Sequence, residues 1–321
     1  MGKSSTRSSP TRRRNPPPPA RPLPSTPAPP QLIVAGRGNL GRSLARALKA
    51  AGHPAQLWPA RTGQESLVER LGSLPRAIVF LAVPDGAVPG MAAGLAAHGP
   101  IPRRVAFCHL SGALDLASLE PLRARHAVGS FHPLQSFPEP RPPASFRGIV
   151  VAVDASTSPL RRQLAGLACD LGARPKHVDD SQRVLYHAAA VFASNYVDAL
   201  LREAVELLKA AGWNEQEAMD GLGPLAEGAL ANLRRHGPVA ALTGPVRRGD
   251  VETVRRHVAA LEAIDEGAEP ERGSRVTDLY RMLGQIALEI AREAGLEPAA
   301  AERMRRALTQ HAAATRRRRR T

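Results

Sequence analysis

Leu32-Ile33-Val34-Ala35-Gly36-Arg37-Gly38-Asn39-Leu40-Gly41 decides the architecture: an apolar run ends in a G-x-G-x-x-G turn, and Leu40 to Ala51 then carry helical spacing. Strand, glycine-rich turn and helix in that order make a dinucleotide cradle. The first glycine permits the tight turn, the second lets a pyrophosphate approach the backbone, and the third lets the helix pack on the strand. The helix start adds unpaired N–H groups and the positive end of its dipole to the phosphates. Gly36, Arg37, Gly38, Asn39, Leu40 and Gly41 are the first candidate cofactor residues.

Outward from this turn, short apolar runs alternate with helical stretches, the pattern of βαβ units around a parallel sheet. Strands are expected at Leu32 to Ala35, Gln56 to Trp58, Ala77 to Val83, Arg104 to His109, Ala127 to Phe131 and Ile149 to Val153, with a short one near Lys176. Helices are expected at Ala87 to His98, Leu116 to Arg125 and Leu160 to Leu171. The aperiodic stretch from His132 to Arg147 follows a strand where ligands sit in open α/β sheets, and reads as a functional loop. Beyond it the chain turns helical, opening with a long Ala-rich helix from Val184 to Gly212. The reading is an α/β Rossmann domain over residues 31–178 and a helical domain over 179–312 that serves substrate and dimerisation.

The second strand leads to Pro59-Ala60-Arg61-Thr62, where an NAD-binding chain would place an acid for the ribose hydroxyls. Arg61, with Arg37 beside the first turn, suits a 2′-phosphate and favours NADP(H); the bland alternative makes Arg61 an exposed loop residue. Val83 and Pro84 end the strand that borders the nicotinamide ribose in this architecture. Ser111, after the next strand, either hydrogen-bonds the carboxamide or substrate, or caps the following turn.

The net charge of +15 invites a nucleic-acid reading, but most of it lies in the tails. Residues 1–30 are basic and Pro-rich and hold no acid, and residues 313–321 carry the Arg316 to Arg320 run. Both are expected to be disordered, with no specific nucleic-acid partner. The prolines also oppose the amphipathic helix of a transit peptide. Cys108 and Cys169 lack the spacing of a disulfide framework or thiolate metal site, and both are expected to be buried thiols. The ten histidines show no paired metal-ligand spacing, so no metal is expected. Without a long apolar stretch or signal-peptide core, the chain reads as cytoplasmic, with no membrane partner.

Five motifs in order carry a family resemblance: Gly36 to Gly41; His109-Leu110-Ser111-Gly112; Ser130-Phe131-His132-Pro133-Leu134-Gln135-Ser136-Phe137; Tyr186-His187-Ala188-Ala189-Ala190 with Ser194-Asn195; and Ala241-Leu242-Thr243-Gly244-Pro245 followed by Arg248-Gly249-Asp250. From about Gln31 to about Leu288 the chain resembles Rossmann-like proteins whose helical C-terminal domain long had no assigned function. They lie within the superfamily of pyrroline-carboxylate, prephenate and 6-phosphogluconate dehydrogenases. The resemblance implies a 6-phosphogluconate-dehydrogenase-like helical domain, dimers through it, and an NADP-dependent oxidoreductase. Some members resemble an alternative ketopantoate reductase, which would place the chain in pantothenate biosynthesis. The family pattern often has a lysine ahead of the Tyr-His pair, as related dehydrogenases have a catalytic one on this helix. Here Arg183 occupies that neighbourhood, and a guanidinium does not readily give up a proton.

Reducing a carbonyl acid needs a proton donor, groups that polarise the carbonyl and a cation for the carboxylate. His187 and Asn195, eight residues apart, would share one face of a continuous helix. His187 is the candidate acid and His132 its competitor, because a histidine titrates near working pH; the alternative for His187 is a hydrogen-bonded core residue. Asn195 could hold the carbonyl or the carboxamide, Thr243 offers a hydroxyl and free backbone amides to an anion, and Arg247 or Arg248 could take the carboxylate, with Asp250 orienting one of them. Asp250 could equally be the N-cap of a helix over Val251 to Leu261. Apolar stripes, Leu200 to Leu208 and Leu279 to Ile290, fit either core or a dimer face. Two alternatives stay open: reduction of another 2-keto acid or imine, and a non-catalytic NADP(H)-binding regulator.

Overall fold

The computed structural model describes residue 2 and residues 29–60, 64–267 and 276–310. Arg61, most of the N-terminal tail and all of the Arg-rich tail lie outside the described residues. The chain divides into two compact units, residues 1–190 and 191–321.

The first unit is built on a sheet whose central strands are buried on both faces. In strand β1 (Gln31–Ala35) Leu32 and Val34 enter one apolar cluster while Ile33 and Ala35 enter another, as the two-residue period of a doubly covered strand demands. After β1 come α1 (Asn39–Ala50), β2 (Ala55–Trp58), α2 (Gln64–Gly72), β3 (Ala77–Leu81), α3 (Val88–Ala97), β4 (Val105–His109), α4 (Glu120–Arg123) and β5 (Val128–Pro133). Then follow β6 (Val150–Ala155), α5 (Ser158–Asp170) and β7 (Arg174–His177). The strand order is β2-β1-β3-β4-β5-β6-β7. With β1 between β2 and β3, the direction of winding reverses at β1 and β3, and a crevice opens at their carboxyl ends.

Three expectations change. The strand over residues 150–155 pairs antiparallel with β5, because the connection contains only a 3-10 turn, Pro143–Phe146, and lacks the crossover helix a parallel return requires. The helix expected from Leu116 to Arg125 is a 3-10 turn, Leu116–Leu119, running into the four-residue α4. Cys169 is exposed, since α5 buries Leu160, Leu164, Leu167 and Ala168 and the next position turns outward; Cys108 is buried, and that burial pushes its thiol up. Packing leans on Leu, Val and Ala, yet Phe80, Phe107, Phe131 and Phe146 are all fully buried.

The helix α6 (Asp180–Ala193) starts in the first unit and ends in the second. The second unit continues with α7 (Asn195–Ala210), α8 (Glu215–Ala241), α9 (Gly244–Arg248), α10 (Val251–Glu266), α11 (Val276–Glu293) and α12 (Pro298–Thr309). Its core joins Val246, Val254, Val258, Leu288, Met304 and Leu308. The single helix expected from Val184 to Gly212 is two, because Ser194 leaves helical geometry at φ −126°, ψ −79°. His187 and Asn195 therefore do not share one uninterrupted helical face. By length and composition, residues 180–210 are the one described stretch apolar enough to cross a membrane. The stretch is broken at Ser194 and carries Asp180, Arg183, Asp198, Arg202 and Lys209.

Candidate functional site

The glycine turn sits at the crevice. Gly36, at φ +138°, accepts no side chain: a Cβ there would lie inside the carbonyl of Ala82, just past β3. Its N–H donates to the Trp58 carbonyl at 2.9 Å, and the Ala82 N–H donates to Ala35 at 2.8 Å, so the turn is stitched to both neighbouring strands. Gly38 faces open space and begins α1 with no side-chain cap. Its first-turn N–H groups are thus available to an anion. Asn39 does not cap, because its side-chain amide donates to the carbonyls of Phe137 at 3.2 Å and Pro138 at 2.7 Å. Ser43 Oγ accepts from the Arg141 N–H at 2.8 Å, a second tie to the same loop. Leu40 packs on the core and could offer a ligand only its backbone, while Arg37 is exposed. Val83 and Pro84 follow β3 at the same edge. An open position at Gly38, a closed one at Gly36 and free amides fit a pyrophosphate.

At the carboxyl ends of β4 and β5 the chain gathers polar groups. His109 ends β4 and is fully buried; His132 lies one residue from the end of β5. Gly112 fills the space between side chains, since a Cβ there would stand 2.8 Å from both His132 Cε1 and His187 Nδ1. His132 Nδ1 is 2.8 Å from the Tyr186 hydroxyl, with the rings edge to face. His187 is at ring-contact distance from His132, and its buried Nδ1 has no hydrogen-bond partner among the described residues. Burial, more than the neighbouring positive charge of Arg183, pulls His109 down to about 4. Burial does the same to His132, helped by His187 and Arg183, also to about 4. The Tyr186 phenol is pushed up to about 12 by burial, against the pull of Arg183.

Arg183 stands beneath this cluster, fully buried on α6. Its Nη2 donates to Ser130 Oγ at 2.6 Å and to the Val178 carbonyl at 3.1 Å, and Nε lies 3.6 Å from Asp180 Oδ1. Ser111 Oγ donates to Asp85 Oδ2 at 2.7 Å and accepts from the N–H groups of Ala113 and Leu114 at 3.0 Å, so its hydroxyl closes the turn after β4.

The other sequence candidates lie in the second unit. Asn195 opens α7, and Thr243 precedes α9 without a side-chain capping bond. Arg247 donates to the Ala294 carbonyl at 3.0 Å, so of the two neighbouring arginines Arg248 is the one without a hydrogen bond among the described residues. Asp250 caps α10, accepting from the Thr253 N–H at 3.1 Å, and the Thr253 side chain first, then this N–H, hold its carboxyl below the usual range. Sequence alone did not single out the Tyr186 and Ser130 hydroxyls. Their partners lie more than fifty positions away, and no local period reveals such pairs.

An α/β Rossmann domain followed by a helical domain is the class this fold defines. Residues 149–287 match a protein family described as a domain of unknown function, DUF2520. Comparison with curated proteins finds no match. Among solved structures, the chain is similar to a Thermotoga maritima protein named without an activity, at 23% identity over 82% of this chain and 98% of that one, TM-score 0.60. It is similar to a Bacteroides fragilis protein provisionally described as an NADP oxidoreductase, at 23% identity over 83% and 97%, TM-score 0.59. An NADH-preferring ketol-acid reductoisomerase from an uncultured archean aligns at 13% identity over 90% and 94%, TM-score 0.52. These likenesses show the fold.

Proposed function

We propose that the chain is an NADPH-dependent oxidoreductase that reduces a C=O or C=N bond in a small carboxylate-bearing molecule. The observation that carries this reading is the cradle at the β1–β3 crevice: glycine where a side chain would collide, open space at Gly38, and uncapped amides at the start of α1. In this reading Gly36 to Gly41 hold the pyrophosphate and Val83 and Pro84 border the nicotinamide ribose. Ser111 serves from its turn, and Arg61 with Arg37 selects the 2′-phosphate. The absence of an acid after Trp58 supports NADP(H) over NAD. Bound there, the cofactor supplies a hydride.

From the resemblance, ketopantoate is the first substrate to try. His187 and His132 remain candidates near the reacting bond, with Asn195 for the carbonyl or the carboxamide, Thr243 as part of an anion site and Arg248, steadied by Asp250, as carboxylate ligand. A homodimer through the helical domain is part of the same reading. What supports it is the exposure of large apolar side chains there, Leu225 at 69%, Met282 at 64% and Ile286 at 53% among them.

The test is a fluorescence titration of the protein with NADPH and NADH, followed by NADPH consumption with ketopantoate and a panel of 2-keto acids and cyclic imines. Tighter binding of NADPH than NADH, with turnover on a panel member, is expected. Absence of NADPH binding would remove the reading. Binding without turnover on any substrate would favour a regulator.

A further inference from the structure

A reductase without a lysine at the head of α6 still needs an acid for the product oxygen or nitrogen, and the side chains around His132 narrow the choice. Arg183 cannot serve, both because a guanidinium keeps its proton and because it is buried against Ser130 and Val178. His109 and His132 are neutral near pH 7 and carry no acidic proton to give. The Nδ1 of His187 is closed in against Gly112 and His132. Tyr186 remains. It is partly exposed, its hydroxyl is 2.8 Å from His132 Nδ1, and it follows the buried Arg183 by three residues, on the same side of α6.

We propose that Tyr186 is the acid that protonates the reduced substrate, with His132 as the positioning residue that fixes and polarises its hydroxyl. This rests on the reductase reading above. In the neutral tautomer protonated on Nδ1, His132 donates to the phenolic oxygen and leaves the Tyr186 O–H free to point outward. Hydride arrives at the carbonyl carbon with its electron pair, the π pair moves to oxygen, and that oxygen takes the proton from Tyr186 Oη. The phenolate left behind is stabilised by His132 Nδ1–H and by the charge of Arg183, and water returns the proton. Burial pushes the phenol up to about 12, so Tyr186 is protonated near pH 7 and gives up its proton only as the product oxygen gathers charge.

The experiment compares full-length wild type with Tyr186→Phe, His132→Asn and His132→Leu. NADPH fluorescence titration, turnover on the substrate panel and the Cζ resonance of 13C-tyrosine-labelled protein are measured for each. All variants are expected to bind NADPH as wild type does. Tyr186→Phe should lower kcat by about 100-fold or more with KM little changed. His132→Leu should also lower kcat and shift the Tyr186 resonance, whereas His132→Asn, which keeps a donor near the Nδ1 position, should restore most of both. Wild-type-like turnover in Tyr186→Phe, or a Tyr186 resonance indifferent to His132→Leu, overturns the proposal. Failure of the underlying reading looks different: wild type then does not bind NADPH, and the proposal falls with it. If wild type binds NADPH but turns over no panel member, the reductase reading and this proposal fall together.

Discussion

Gly112 and His187 stand so close that the smallest side chain at Gly112 would bring a carbon to 2.8 Å from His187 Nδ1. The same carbon would be 2.8 Å from His132 Cε1, so no shift of one imidazole alone relieves the clash. Gly112→Ala is expected to cost about 1–3 kcal/mol, the usual range for overpacking, with a matching fall in the urea midpoint. An unchanged midpoint would mean that the cluster is loosely held.

Ser130 supports Arg183 from beneath. Its hydroxyl accepts from Nη2 at 2.6 Å inside the first unit, leaving the Val178 carbonyl as that nitrogen's other acceptor. Ser130→Ala removes an acceptor from a buried cation, and a loss of about 1–3 kcal/mol is expected in urea unfolding. Ser130→Thr, which keeps the hydroxyl, should recover part of it.

Acid should weaken the fold through its imidazoles. Burial lowers His109 and His132 from 6.5 to about 4 in the native state, while the unfolded chain binds protons at the ordinary value. Between those limits the unfolded state holds more protons, so stability is complete above about 6.5 and drains away as pH falls towards 4. The shift of His109 corresponds to about 3 kcal/mol at the bottom of that window. Chemical denaturation at pH 7, 6, 5 and 4 should show the decline, and His109→Gln should flatten it. A curve just as steep in the variant would place the dependence elsewhere.

Cofactor choice is expected to follow Arg61. Arg61→Ala should weaken NADPH by roughly tenfold or more, as loss of a charge-assisted contact does, and leave NADH unchanged. Paired titrations measure this directly, and equal losses for both nucleotides would undo the 2′-phosphate assignment.

The strand–turn–helix around Gly36 was legible because each glycine does a different steric job and the neighbouring strand is apolar at every position after Gln31. The helix α2 was not foreseen, although Thr62 with Glu65 three residues later is a capping-box pattern that could have signalled its start. The division of the long Ala-rich helix was hidden. Ala188 to Ala190 and Ala193 continue a helix-favouring composition up to Ser194, and nothing in it signals that Ser194 leaves helical geometry. Once the break is known, Phe192 marks it, 67% exposed and edge to face with Tyr196 on the far side.

Cys169 could have been placed correctly, because its neighbour Ala168 completes the buried stripe of α5 and the next position is turned by about 100°. The pairing of Tyr186 with His132, and of Arg183 with Ser130, needed the fold, since each joins α6 to a strand more than fifty residues earlier.

The ties from Asn39 and Ser43 to the loop after β5 have a kinetic consequence. The loop backbone at Phe137, Pro138 and Arg141 is held by hydrogen bonds to side chains of α1. A ligand that enters the cradle therefore meets a preorganised wall and spends little of its binding free energy on ordering it. Cutting those ties with Asn39→Ala should show itself in the association step, where a loosened wall has to be gathered in before the nucleotide can settle.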